Sequence, residues 1–307
     1  MNRTALELVV AAGTVAGVIA GVRALAPAAP SRAPLVAALA ESAEDATGAS
    51  FPAGPRRCIA SASTVADRLV VALVGEGALC AVATPVSCTR PWCAAFAGKP
   101  RLTNLDDVNA LAALHPDLVV TANPGTPGRI VRLRDAGLPV FDLGPATGLH
   151  ALEESSRRLG AVLGRPEVAE ALWGRFQRRL EAVRPVTTER PSGLYLGLYG
   201  NVLVGGAGDT SWHDVLEAAG LRDAAADRTG WPSWTALDVA ERNPAWIVTE
   251  PGMGALLCAR EGIAAIDACR RGHVAEIDAD LLSDPGLTML DAAEAVADRI
   301  AELSARR

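Results

Sequence analysis

The sequence predicts an α/β fold made of two Rossmann-like parallel-sheet lobes joined by a long bridging helix, with a ligand cleft between the lobes. Three observations carry this expectation. A unit of helix, proline break, apolar strand and Pro-Gly turn occurs twice, at residues 109–125 and 237–252. Helix-like and strand-like patterns alternate through both halves, an order that builds parallel sheets. Between the halves lies a proline-initiated helical stretch long enough to cross the back of both. The length of 307 residues is roughly twice the 100 to 200 of a single domain. Half the residues are apolar and 21% are charged, with mean hydropathy +0.22, which excludes a mainly disordered chain.

The N-terminus carries Arg3, an uncharged run from Leu8 to Val22, Arg23, and small residues from Ala24 to Ala29. This is the layout of an export segment, so residues 1–28 read as a signal peptide or a membrane anchor. The run is shorter than the ~20 residues that span a bilayer core, although a tilted anchor starting at Thr4 would tolerate Glu7 at its edge. Both readings place the folded body outside the cytoplasm, in the periplasm or at the outer face of the cytoplasmic membrane, and both confine membrane contact to this segment. Residues 29–56 are rich in Ala, Pro, Ser and Gly and read as a flexible linker. The first cysteine, Cys58, follows Pro55-Arg56-Arg57 rather than a Leu-x-x lipobox, so lipid attachment has no support.

The N-terminal lobe is expected over 57–145. Cys58–Ala62 reads as a strand entering a helix over Thr64–Val74, followed by a strand over Leu79–Ala83. The first repeat copy comes next. Pro116 stops its helix, the run from Leu118 to Thr121 suits a fully buried parallel strand, and Pro124-Gly125 turns the chain. A helix over Arg129–Ala136 and a strand over Leu138–Asp142 close the lobe. Residues 146–184 are helical and form the bridge. Gly164-Arg165-Pro166 ends one helix and starts another with Pro166 in its first turn, and Pro166–Arg184 would extend about 28 Å.

The C-terminal lobe, 185–307, opens with strands over Gly193–Leu198 and Asn201–Val204 and a helix over Ser211–Ala219. The second repeat copy supplies Pro244, the strand Trp246–Thr249 and Pro251-Gly252. A helix over Gly262–Arg270 and a strand over His273–Asp278 follow. Six cysteines, an even number, fit an oxidising compartment. Cys88 with Cys93 and Cys258 with Cys269 are plausible local bridges, but spacing leaves the pairing open. Neither spacing is that of a zinc site, and the four histidines are scattered, so no metal site is expected.

In open α/β sheets ligands bind beyond the carboxyl ends of the strands. The loops that reach this region carry the candidate ligand-binding residues Ser63, Thr64, Arg90, Trp92, Asn123, Tyr199, Trp212, Trp231, Trp234, Glu250 and Met253. The net charge of −6, from 29 basic and 35 acidic residues, gives no concentrated basic surface, so nucleic acid is not an expected partner.

Over residues 57–303 the chain resembles the helical-backbone class of periplasmic substrate-binding proteins of ABC importers, which receive vitamin B12, iron siderophores, haem or metal ions. The carriers are the opening Ile59 to Val65, the element from Asn109 to Val120, the bridging helix, the segment Trp212 to Gly220, and the element from Trp231 to Val248. The resemblance implies a monomer without a cofactor of its own that captures a small molecule and delivers it to an ABC permease. Four tryptophans in the predicted cleft loops, Trp92, Trp212, Trp231 and Trp234, suit a large flat ligand such as cobalamin, haem or a ferric siderophore. Arg90 would pair with a ligand carboxylate or phosphate, and Tyr199 is a candidate phenolate for ferric iron.

Members of that class usually dock through a Glu on each lobe. Counting back from Pro116 and Pro244, those slots hold Asn109 and Leu237, with Asp107 and Asp238 nearby as stand-ins. A non-transport ligand sensor or scavenger of the same fold is therefore an alternative. An enzyme on Rossmann-like lobes is another, and Gly205-Gly206-Ala207-Gly208 is the one stretch that speaks for it. Its order is not the full G-x-G-x-x-G, and no G-x-S-x-G, H-E-x-x-H or P-loop pattern occurs, so catalysis is not expected.

Overall fold

The computed structural model describes residues 42–85, 87–102, 104, 106–122, 128–183, 190–282 and 286–305. The export segment at 1–28, the first part of the expected linker up to residue 41, and Asn123 lie outside the described residues.

The second part of the expected linker is corrected by the structure. Strands β1 (Ser42–Glu44) and β2 (Ser50–Pro52) pair antiparallel as a hairpin. Its turn is built by Asp45, whose carboxylate accepts from the Thr47 N–H at 2.8 Å, the Thr47 hydroxyl at 2.7 Å and the Ala49 N–H at 3.0 Å. Phe51 packs edge-on against Phe141 at 5.2 Å, and Ala43 is buried in the core beneath. A small-residue composition hid three short anchors, Ala43, Asp45 and Phe51, that tertiary contacts turn into structure.

The first parallel sheet contains β3 (Ile59–Ser61), β4 (Leu79–Ala81), β5 (Leu118–Thr121) and β6 (Val140–Asp142), in the order β4-β3-β5-β6. A Cys58–Cys80 disulfide ties the β3 entry to β4, a pairing that spacing did not reveal. Helix α1 (Thr64–Val74) starts where Ser63 accepts from the Ala66 N–H and ends at Gly75, whose φ of 82° a side chain rarely adopts. Helices α2 (Val108–Ala113) and α3 (Arg129–Asp135) flank β5 in sequence. Next come α4 (Leu149–Val162) and α5 (Pro166–Val183), broken where Gly164-Arg165-Pro166 predicts. Trp173 and Phe176 of α5 stack at 5.2 Å and sink into the first core, while Leu180 of α5 and Leu149 of α4 each pack against the cores of both lobes. Their contact with both cores makes the helical stretch a bridge rather than a tether.

The second parallel sheet contains β7 (Ser192–Tyr195), β10 (Arg222–Asp223), β12 (Trp246–Thr249) and β13 (Val274–Glu276), in the order β10-β7-β12-β13. The single strand expected over Gly193–Leu198 is two. After Leu196, whose carbonyl accepts from the Thr249 hydroxyl at 2.7 Å, the chain leaves the sheet as β8 (Gly197–Tyr199). With β9 (Val202–Val204) and β11 (Ser233–Trp234), β8 forms a small antiparallel sheet. The helices of this lobe are α6 (Ser211–Ala218), α7 (Ala236–Arg242), α8 (Met253–Cys258), α9 (Asp267–Arg271), α10 (Ala279–Leu282) and α11 (Met289–Ala305). The helix expected over Gly262–Arg270 is shortened to α9. Gly262 has a φ of 86°, and Asp267 restarts the helix with its N–H donated to Asn243. The Cys258–Cys269 disulfide joins α8 to α9.

The repeat is visible in three dimensions. β5 and β12 are fully buried and each lies between the opening strand of its lobe and the closing one. Among the described residues no helix is long and apolar enough to cross a membrane.

Candidate ligand cleft

On the C-terminal lobe the strand ends carry an aromatic cluster. Tyr195 closes β7, and its buried ring stacks on Trp212 of α6 with centroids 4.1 Å apart and planes 6° from parallel. Trp231 meets the same ring edge-on at 6.1 Å. A Cβ built on Gly197 would stand 3.6 Å from the Tyr199 ring and 3.7 Å from the Tyr195 hydroxyl, so both tyrosines of the chain flank one glycine. Trp212 is 2% exposed and serves as the backing layer, whereas Trp231 and Tyr199 are 53% and 67% exposed and form its open face. Burial, together with the charge of Glu250 at the end of β12 and with Tyr199, raises the Tyr195 phenol above its ordinary pKa, so the ring stays neutral. Tyr195 was missed from the sequence because it lies within an apolar run that reads as core.

Trp234 is corrected. It is 4% exposed, packs in the small core around Val239 and Ile247, and lies under the guanidinium groups of Arg228 and Arg242 at 4.5 and 5.0 Å. Met253, at the start of α8, leans on that same core. The α8 entrance is held by Glu276, whose carboxylate accepts from the N–H groups of Gly252 and Gly254 at 3.1 and 2.9 Å. The glycine run spends its backbone on neighbouring chain, with the Gly205 N–H donated to the Pro232 carbonyl at 3.3 Å and the Ala207 N–H to the Gly230 carbonyl at 3.0 Å. A Cβ on Gly205 would lie 2.3 Å from the Tyr195 carbonyl, one on Gly206 2.8 Å from the Thr210 hydroxyl, and one on Gly208 2.9 Å from two backbone carbonyls. These glycines let the aromatic cluster pack against backbone.

On the N-terminal lobe the Ser63 hydroxyl accepts from the N–H groups of Ala66 and Ala122, both at 3.2 Å, which fixes the mouth of β5 against α1. Thr64, the first residue of α1, is half-buried beside it. Sequence reasoning also missed Asp67. Its fully buried carboxylate takes the N–H groups of Ala83 and Thr84 and the Thr84 hydroxyl, at 3.2, 2.6 and 2.6 Å. Burial pushes this carboxyl above its usual range despite those bonds.

Trp92 belongs to a different group from the other tryptophans. It packs edge-on against Phe96 at 6.2 Å with the Arg68 guanidinium 4.4 Å above its ring. Arg90 beside it is ion-paired with Asp278, beyond the end of β13 in the other lobe. Between the lobes here lies a cavity of about 990 Å³, lined by Arg68, Arg90 and Trp92 on one side and Ile277, Asp278 and Leu281 on the other. A second interlobe cavity of about 360 Å³ lies between the 143–158 segment and the start of α6. His213 faces it, with Nδ1 2.9 Å from the buried Asp223 carboxylate.

The positions expected to dock lie at equivalent places in the two repeat copies. Asn109 and Leu237 are the second residues of α2 and α7 and are exposed. Asp107 and Asp238 are occupied by their own helices. Asp107 caps α2 by accepting from the Ala110 N–H at 3.0 Å. Asp238 closes a capping box with Thr235 and pairs with Arg228 at 2.7 Å. The bond from the Thr235 side chain, with help from Arg228, lowers its carboxyl to about 2.

Two parallel-sheet lobes share a helical bridge, and strand-end loops of each meet across cavities. The chain belongs to the periplasmic binding protein family, which matches residues 59–281. It is 25% identical over 203 residues to an uncharacterized ABC transporter substrate-binding lipoprotein of Bacillus subtilis, covering 63% of this chain and 65% of the relative. It is 25% identical over 201 residues to a cobalamin-binding protein of Halobacterium salinarum, covering 61% of this chain and 53% of that one. The chain thus spans less than two thirds of the length of these relatives. A periplasmic heme binding protein from Pseudomonas aeruginosa superposes with a TM-score of 0.66 at 26% identity, over 80% of this chain and 92% of that one.

Proposed function

We propose that this protein, exported and monomeric, captures a cobalamin-like or iron-chelate ligand, such as haem or a ferric siderophore, between its lobes and yields it unaltered to an ABC permease. The observation that carries the reading is the aromatic cluster at the C-terminal strand ends. The stacked Tyr195 and Trp212 form a rigid backing, and Trp231 and Tyr199 offer exposed rings beside it. Such a surface gains affinity by desolvating a large planar ligand at little conformational cost. The cobalamin-binding and heme-binding relatives support the same ligand classes. Capture needs no cofactor and no turnover, so the ligand leaves chemically unchanged.

Calorimetric titration with cyanocobalamin, haemin and a ferric-siderophore panel tests this. One member should bind one-to-one, and Trp231→Ala should weaken it about tenfold or more. Equal affinity in that variant would remove the cluster from the site. A sensor or scavenger role is the second reading, favoured because Asp238 is already spent on Thr235 and Arg228 and Leu237 offers no charge. Deleting the gene separates the two: loss of uptake of the captured ligand supports delivery, and unchanged uptake supports sensing.

A further inference from the structure

The loop at Cys88–Cys93 reaches from one lobe to the other. Arg90 pairs with Asp278, and the Thr89 N–H points to the Asp280 carboxylate at 3.5 Å. Both partners stand beyond strand ends, on the ligand side of their sheets. The loop is stiffened from within. The disulfide closes it, the Cys93 N–H donates to the Arg90 carbonyl at 2.9 Å, and the Cys88 N–H donates to Pro85 at 3.2 Å. Arg90 is therefore carried on a short, cross-linked arm and loses little freedom on pairing.

The surroundings decide against the ligand-anion role expected for Arg90. Its cavity is lined by six carboxylates, those of Glu276, Asp278, Asp291, Glu294, Asp298 and Glu302, against the arginines Arg68, Arg90 and Arg299. Even with Arg179, which pairs with Asp291 and Glu294, the carboxylates outnumber the guanidinium groups, so a ligand carboxylate or phosphate would meet net negative charge. Asp278 already supplies the anion from the opposite lobe. Other ties cross the junction, among them Arg68 to Asp291 at 3.8 Å, the Leu149 N–H to Asp214 at 2.7 Å and Arg179 to Asp291 at 2.7 Å, but these involve helices packed at the bridge.

We propose that Arg90 and Asp278 form an interlobe latch, mounted on the disulfide-closed arm, that holds the cleft shut and sets how long the ligand is retained. Both side chains are partly exposed, and exposed ion pairs are individually weak. That suits a contact which has to break for the ligand to leave. The inference rests on the capture reading for its consequence, but the latch itself is testable without ligand.

Hydrogen exchange of the ligand-free full chain is compared for the wild type, Arg90→Asp, Asp278→Arg and the double charge swap. Each single variant should raise exchange about fivefold or more in both 87–94 and 274–281, and the swap should restore protection. Wild-type exchange in both single variants, or failure of the swap to rescue, would overturn the latch. Cys88→Ser/Cys93→Ser should loosen the same two segments together, whereas loosening of 87–94 alone would remove the arm from the proposal. With whichever of cyanocobalamin, haemin or the ferric siderophores binds, dissociation should be roughly tenfold faster in the single variants and normal in the swap. If none of these probes binds, the ligand reading fails and the exchange result alone decides the latch.

Discussion

Asp45 and Asp142 sit side by side, and burial, bonding and charge act on them differently. Burial works to raise Asp45, but the Thr47 hydroxyl and the N–H groups of Asp142, Ala49 and Thr47 outweigh it and leave the carboxyl below its ordinary value. Arg134 adds an ion pair. Burial, with the Asp45 charge, raises Asp142. A lowered carboxyl contributes stability above the unfolded-state pKa, near ~4, which disappears as pH falls through the folded value. Asp45→Asn should therefore cost about 3 kcal/mol at pH 7 in urea melts, and the gap from wild type should shrink in acid. At Asp238 the same logic is visible locally. Its NMR titration midpoint should lie at about 2 and move toward the usual carboxylate range in Thr235→Ala. The tryptophans divide by environment. Trp234→Ala should cost ~3 to 5 kcal/mol in stability, while Trp231→Ala, on an exposed ring, should cost under about 1 kcal/mol. The sequence could not sort them, because both belong to one short loop segment and only packing separates Trp234 from Trp231.

At the level of elements, the parallel strands and main helices were legible because each has a local cause. Pro116 and Pro244 stop helices, apolar four-residue runs make buried strands, and Ser63 and Thr210 cap α1 and α6. Where the expectation failed, the deciding contact was distant in sequence. The 193–198 run splits because Leu196 is held by β12, and the 262–270 helix shrinks because a disulfide and Asn243 fix its neighbours. The α4–α5 corner offers a direct test of close packing. A Cβ on Gly160 would lie 2.5 Å from the Ala169 Cβ and 3.2 Å from the Arg165 carbonyl. Gly160→Ala should overpack this corner and cost roughly 1 to 3 kcal/mol in thermal or urea unfolding, despite the better helix propensity of alanine. A stabilised variant would show that the two helices can separate without loss.

For the whole molecule, the duplicated unit fixed the bilobal plan and the region of the cleft, but not which residues share it. Tyr199, Trp212 and Trp231 converge around Tyr195, Trp92 and Arg90 lie at a separate interlobe cavity, and Trp234 is core. Convergence of that kind depends on three-dimensional neighbours that spacing does not encode. The bridge contacts both cores through Leu180 and Leu149, so opening is expected to be a small rocking rather than a wide hinge. Small-angle scattering with and without the captured ligand should therefore show a change in radius of gyration of about 1 Å or less.

The hairpin at 42–52 also shortens the leash. As free linker, the stretch from Ser42 to Arg56 would add about 50 Å of reach at full extension, and its pairing as a hairpin and its Gly54 N–H bond to the Val162 carbonyl remove that slack. If residues 1–28 anchor the chain, less slack would keep the folded body nearer the membrane surface, where a membrane-embedded receiver would be met at a higher effective concentration than in free diffusion.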